Sequence, residues 1–338
     1  MKDRDIILEV LQAGTDRRIE RRRFLHFAGA STAAFSLAAC GGDDNNNPIG
    51  GTPPGPTPTP TPTPTPPSAL TDADVLNFAL NLEYLEAQFY SYAAIGSGLA
   101  SNLLDGTGTR GQVTGGRQVN FTDPLVAQYA REIASDERAH VAFLRSALGG
   151  AAVAQPAIDI GSSPNGAFSS AARAAGLVGP NQSFDPYAND NNFLLAAYIF
   201  EDVGVTAYKG ASPLISNKTF LEAAAGILAA EAYHAGLVRT VLYRKGLQAP
   251  ALIDASEAIS NARDSLDGST DLDQGLRPRS TQFGEGTNIV PTDNNAIVFS
   301  RTTGQVLNIA YLTAMSTTGG GFFPNGVNGN LRMSAASS

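Results

Sequence analysis

The chain has 338 residues, 43% of them apolar, enough to enclose the core of one large domain or two small ones. A formal net charge of -8 excludes the basic surface that nucleic-acid binding requires. No stretch is long and apolar enough to span a bilayer as a mature helix; Gly 35 and Pro 20 point to long loops or a stalk.

Residues 1–39 read as an address rather than as fold. The run E-R-R-R-F-L-H, from Glu20 to His26, resembles a twin-arginine export signal with Arg21 and Arg22 as the pair. An apolar segment too short to cross a membrane follows and ends in L-A-A-C. That ending resembles a bacterial lipobox and makes Cys40 the lipidated first residue of the mature chain. Cys40 is the only cysteine, so no disulfide framework is available. The leader carries seven Lys/Arg and five Asp/Glu, and removing its net +2 takes the chain from -8 to -10. Membrane contact would then come from acyl chains on Cys40 and not from a basic patch. The expected location is the bacterial cell envelope. The twin-arginine resemblance implies export of a folded protein, often with its cofactor already inserted. Residues 40–69 read as a stalk. Their alternating Thr and Pro fixes φ and removes a donor at every second position, which leaves extended polyproline II.

From Thr71 the pattern turns helical, and residues 70–247 read as one bundle. Thr71 and Asp74 form a capping box, Gly96 closes the helix, and Val75, Phe78, Leu82, Leu85 and Phe89 mark an apolar face. A Gly/Thr/Asn-rich segment leads to a second helix starting at Thr122, with Pro124 in its first turn and a stop at Gly149 and Gly150. A connection over 150–189, with a short helix near 168–175, precedes a third helix capped by Asp190 and ending at Gly210. A fourth starts near Asn217 and ends at Gly246. Four long helices with one long central connection match a ferritin-like bundle, because a long crossover lets the third helix start at the far end. Residues 248–338 form an irregular extension with helices expected at 254–266 and 301–315. Phe322 and Phe323 are expected to dock on the bundle. The run D-G-S-T-D-L-D, Asp267 to Asp273, lacks the spacing and closing glutamate of an EF-hand. It reads as Asx turns in an exposed loop.

The first and third helices repeat each other, and so do the second and fourth. Glu83 precedes Tyr90 by seven residues, as Glu201 precedes Tyr208. Glu137, His140 and Arg145 recur with the same offsets as Glu231, His234 and Arg239. Each half thus supplies one lone glutamate and one Glu-x-x-His, whose two side chains share a helix face. Four carboxylates and two imidazoles converging between helices are the ligand set of dinuclear iron or manganese proteins. Two divalent cations set +4 against the -4 of four buried glutamates, which would otherwise take up protons.

The segment N-F-A-L-N-L-E-Y-L-E-A-Q-F-Y, the two E-x-x-H helices, and the tail runs N-I-V-P-T-D and G-G-F-F-P-N-G resemble the desiccation-related branch of the ferritin-like superfamily. The resemblance implies an all-α ferritin-like four-helix bundle and, by matching motif, Glu83, Glu137, His140, Glu201, Glu231 and His234 as ligands of two iron or manganese ions. Glu86, one turn from Glu83, replaces or assists it. Tyr90 and Tyr208 are either donors to the ligands, bearing on catalysis, or core aromatics. Arg145 and Arg239 read as ion-pair or surface residues, and Glu132 and Glu222 as solvated charges. A lipid anchor, a stalk and a large tail depart from cage-forming iron-storage chains. With no C-x-x-C pair, a peroxidase cycle would need an external reductant.

Two functions stay open. One is redox chemistry on dioxygen, peroxide or ferrous iron. The other is a non-enzymatic stress or desiccation role in the envelope, with a structural metal or none. An oligomer is compatible with either.

Overall fold

The fold is given by a computed structural model that describes residues 70–337. The twin-arginine motif, Cys40 and the Pro/Thr stalk lie outside the described residues. The four long helices expected are present: α1 (Asp72–Ile95), α2 (Pro124–Leu148), then, after the short α3 (Ala167–Ala174), α4 (Asp190–Ala211) and α5 (Lys218–Gly246). The tail adds α6 (Ala251–Asp267) and α7 (Thr303–Tyr311). Both tail helices are displaced a little from the expected spans, α6 beginning earlier and α7 being shorter. Strand pairing is minor: β1 (Val113–Gly115) runs parallel to β2 (Ile158–Ile160), and β3 (Arg279–Thr281) forms a hairpin with β4 (Gly284–Gly286).

Local chemistry sets the helix ends. Thr71 and Asp74 form the capping box of α1, and Gly96 closes it at φ 75°, a conformation that favours glycine. Two helix starts differ from expectation. α2 begins at Pro124 rather than Thr122 and is capped by Asp123, its carboxylate accepting from the Leu125 N–H. Asn189, not Asp190, caps α4. Asn and Asp serve equally well at that position, so the sequence does not separate them. Asp190 instead accepts from the N–H groups of Thr122 and Asp123 and from the Thr122 hydroxyl. It thereby ties the start of α2 to the start of α4.

Side-chain contacts fix the helix directions. Asn77 meets the Ala151 carbonyl and Arg145 meets Tyr84, so α1 and α2 are antiparallel. Arg239 reaches Asp202 while Gly204 lies against Glu231, which makes α4 and α5 antiparallel. His234 contacts Asp136 and Lys245 contacts Asp123, giving the same relation for α2 and α5. Hence α2 and α4 point the same way, and residues 149–189 must carry the chain back along the bundle, as a ferritin-like topology requires.

The α1 helix departs from the amphipathic reading. Only Leu82 and a few end positions are not fully buried, and the polar Asn77, Asn81, Gln88 and Ser91 are as enclosed as the apolar face. The same holds for α4. Both are inner helices, with α2 and α5 on one side and the central connection and tail on the other. Phe322, docked as expected, packs edge-on against Phe168 of α3 and Phe200 of α4 at centroid distances of 5.1 and 4.9 Å.

A buried charge network fastens the tail. Asp267 and Asp273 are not exposed turn residues. Asp267 accepts from Arg301 Nε at 2.5 Å, and Asp273 accepts from Arg301 at 2.9 Å and from Arg263. Arg263 also reaches Asp202 of α4, and Arg301 reaches the Thr206 hydroxyl. Three arginines, counting Arg239, face three aspartates with almost no solvent contact. Breaking a buried pair from one side is expensive because the other charge stays buried. Asp273→Ala is therefore expected to destabilise the protein by about 3–5 kcal/mol in denaturant titration. A loss below about 1 kcal/mol, the range of exposed pairs, would show that the network does not hold the tail.

Candidate metal centre

The space between α1, α2, α4 and α5 contains every glutamate and histidine singled out as a candidate ligand. Glu83, Glu137, Glu201 and Glu231 have at most 1% exposure. Glu83, Glu137, His140 and Glu231 each offer a ligand atom within 4.8 Å of the others, and Glu201, Glu231 and His234 form a second group of the same kind. His140 Nδ1 lies 3.2 Å from Glu83, 3.5 Å from Glu137 and 3.7 Å from Glu231. His234 Nδ1 lies 3.1 Å from Glu137 and 3.7 Å from Glu201. The arrangement is two half-sites: Glu83 with His140, and Glu201 with His234. Glu137 stands between both histidines, and Glu231 belongs to both groups.

The tyrosines cross the bundle. Tyr90 of α1 donates to Glu201 of α4, and Tyr208 of α4 donates to Glu83 of α1. Burial first, and then the charge of the facing glutamate, holds each phenol well above its ordinary pKa, so both stay protonated donors. Each anchors the lone glutamate of the opposite half. The repeated arginines, by contrast, keep to their own halves: Arg145 donates to Tyr84 at 2.5 Å, and Arg239 to Asp202 at 2.7 Å. Arg239 is fully buried and bonds three tail carbonyls besides the Ile289 carbonyl, so of the two roles weighed for it the ion pair applies and the surface role does not. Glu132 and Glu222 are exposed.

Glu86 breaks the two-fold pattern. Its counterpart in the repeat is Gly204, three residues after Glu201 as Glu86 is three after Glu83. A Cβ at Gly204 would meet Glu231 Oε2 at 2.3 Å and Glu86 Oε1 at 3.5 Å. The glycine thus makes room for Glu231; Glu86, the fifth carboxylate, lies at ordinary contact distance and joins neither ligand-atom group.

Two participants were not evident in the sequence. Gly204 was legible only through the repeat offset just given. Asp136, about half exposed, lies 3.2 Å from His234 Nε2 and leaves Nδ1 facing the carboxylates. Its repeat counterpart is Ala230, so no repeated pattern flagged it. Carboxylates of this kind orient metal-binding histidines.

The donor set fits a cation. Both oxygens of Glu137, both of Glu231, one of Glu201 and Nδ1 of His234 are buried with no hydrogen-bonding partner. Such orphans are costly unless another charge satisfies them. Oxygen donors with one imidazole on each side suit iron or manganese. Without a cation, protons must do the balancing. Burial pushes Glu83 up to about 7 and Glu201 up to about 8. Burial, followed by the Glu137 charge, pushes Glu86 and Glu231 well above the carboxylate range. Burial acts upward on Glu137 too, but the close approach of His140 and His234 outweighs it and holds it at about 2. Burial acts downward on the histidines and is outweighed by their carboxylates, which raise His140 to about 11 and His234 to about 9.

Residues 71–244 match the ferritin-like domain family. The chain is 31% identical to the desiccation-related protein PCC13-62 of Craterostigma plantagineum over 267 residues, covering 77% of this chain and 83% of that protein. It is 30% identical to the ferritin-like catalase Nec2 of Nesocodon mauritianus over 271 residues, covering 77% and 84%. No solved structure matches the chain significantly.

Two outcomes follow from this geometry. Gly204→Ala, by displacing Glu231, is expected to abolish stable metal loading in elemental analysis while leaving the helical circular dichroism in place; full loading would contradict the close approach. The second concerns pH. Groups whose folded pKa is raised stabilise the fold below their unfolded values and lose that contribution as pH rises through the folded ones. Metal-free protein should therefore lose thermal stability from about pH 5 to about pH 9 as Glu83, Glu201 and His234 give up protons. Loaded protein should change far less, since the cations replace those protons. A metal-free form that gains stability over this range would contradict the assignment.

Proposed function

The chain belongs to the ferritin-like family, and from that premise we propose that it holds two iron or manganese ions between α1, α2, α4 and α5 and uses them for redox chemistry on peroxide, dioxygen or ferrous iron. The observation that carries this reading is the doubled half-site: two lone glutamates and two histidines around Glu137 and Glu231, all buried except the partly exposed His140, with orphaned oxygens facing inward. In the loaded protein Glu83 and His140 would hold one ion, Glu201 and His234 the other, and Glu137 and Glu231 would serve both. When bound, the pair of ions supplies a centre that exchanges two electrons with a substrate.

The chain's own residues prepare that chemistry. Tyr90 and Tyr208 fix Glu201 and Glu83 through donated hydrogen bonds and keep the phenolic protons beside the ligands. Asp136 orients His234. The enclosing helices exclude bulk water, except that the His140 side chain on α2 keeps 12% exposure, where a small polar substrate would enter. Among the redox reactions, dismutation of peroxide suits the chain best. One peroxide loses two electrons to give dioxygen, a second gains them to give two waters, and no outside reductant is consumed. The sequence offers no dithiol to act as one, since Cys40 is its single cysteine. The similarity to a ferritin-like catalase agrees with this choice.

The further proposal is that the protein acts in the bacterial cell envelope, exported by the twin-arginine route after loading and anchored through lipidated Cys40. Among the described residues no helix is long and apolar enough to cross a membrane. A second reading rests on the similarity to a desiccation-related protein: a non-enzymatic envelope role in which the metal is structural or absent.

Protein matured in its own host and assayed with an oxygen electrode separates these readings. The redox reading expects about two iron or manganese ions per chain and oxygen release from peroxide. Glu231→Ala should lose both ions together, whereas Glu201→Ala should lose first the ion beside His234. Loaded protein that releases no oxygen, in a strain whose survival of drying is unchanged by Glu137→Ala with His140→Leu, would leave the non-enzymatic reading.

A further inference from the structure

A small cavity of about 30 Å³ lies behind the centre, on the side of the inner helices away from His140. Its wall is almost wholly apolar, built from Leu85 of α1, Ile199 and Phe200 of α4, Val306 and Ile309 of α7, and Phe322. Two further wall residues belong to the carboxylate cluster, Glu86 and Gly204. Among the five clustered glutamates, Glu86 retains the most accessible surface, 5% against at most 1% for the others. The cavity therefore touches the centre at the position where the two-fold repeat is broken.

Size and lining restrict the occupant. The volume exceeds what one water needs, but a water there would lack the two to four polar partners that hold buried water in place. Apolar cavities stay dry and take up small apolar molecules such as xenon. Peroxide and ferrous iron are poor guests for this wall; a diatomic gas is a good one. The exposed edge of His140 offers the polar route on the opposite face.

We propose that this cavity is a holding site for dioxygen beside the centre, filled by product or substrate gas and walled on one side by the C-terminal extension through α7 and Phe322. The assignment rests on the redox reading given above. It gives the extension a role in the chemistry: two of the cavity's walls come from residues beyond the four-helix bundle.

Xenon-pressurised crystals of the chain test the site directly, since xenon reports the cavity whatever the activity. The expected result is an anomalous peak between Phe200, Val306 and Ile309. Ala310 of α7 also lines the cavity. Ala310→Leu should remove the peak, leave the metal content unchanged and lower turnover of peroxide or dioxygen several-fold. Should that variant fold poorly, Val306→Ile adds one methylene and should weaken both signals in the same direction. Absence of xenon from this cavity overturns the proposal and leaves the redox reading standing. So does loss of the peak with turnover unchanged. A parent chain that turns over neither peroxide nor dioxygen removes the redox reading itself, and the dioxygen assignment falls with it even where xenon binds.

Discussion

Five carboxylates buried within reach of one another create an electrostatic demand that the surrounding bundle must meet. Glu83, Glu86, Glu137, Glu201 and Glu231 have no arginine or lysine among the partners described for them, and their positive neighbours are two histidines. Like charges this close cannot all ionise unaided, so some hold protons or cations must enter. The phenols of Tyr90 and Tyr208 contribute hydrogen bonds but no charge. Cations relieve the repulsion most completely, because each satisfies several orphaned oxygens at once.

Such a cluster persists only where the helices carrying it are held rigidly, and the fold holds each half differently. In the first half Arg145 bonds Tyr84, next to Glu83. In the second Arg239 bonds Asp202, next to Glu201, and is then sealed in by tail carbonyls. The tail network of Arg263, Arg301, Asp267 and Asp273 extends that anchorage across α4 and α6. Where the repeat is broken, Gly204 stands in place of a second Glu86 and leaves room for Glu231. The asymmetry at Gly204 and Glu86 also gives the centre two unlike faces, one polar at His140 and one apolar at the tail.

What could be read from the residues depended on how local the signal was. The two Glu-x-x-His pairs are three-residue patterns on a helix face, and their doubling with the Glu-to-Tyr spacing carried the likeness to a ferritin-like bundle. The Thr71/Asp74 capping box and Pro124 located the starts of α1 and α2 for the same reason. The all-round burial of α1 was not legible, because the surfaces covering it come from tail segments without any period. Asp267 and Asp273 looked like turn residues because their partners Arg263 and Arg301 declare themselves only after folding. Asp136 was missed because its contact with His234 crosses from α2 to α5. Glu83 and Glu86 were not separable by sequence; the structure sets Glu83 among the grouped ligand atoms and leaves Glu86 beside them.

A dinuclear centre in the doubled half-site has a distinct diffraction signature. Anomalous data from crystals of natively matured protein, collected at the iron and manganese edges, would reveal it. Two peaks are expected at one of those edges, one beside His140 and one beside His234, with Glu137 and Glu231 between them. A single peak, or density for neither metal in protein whose helices are intact, would contradict that assignment.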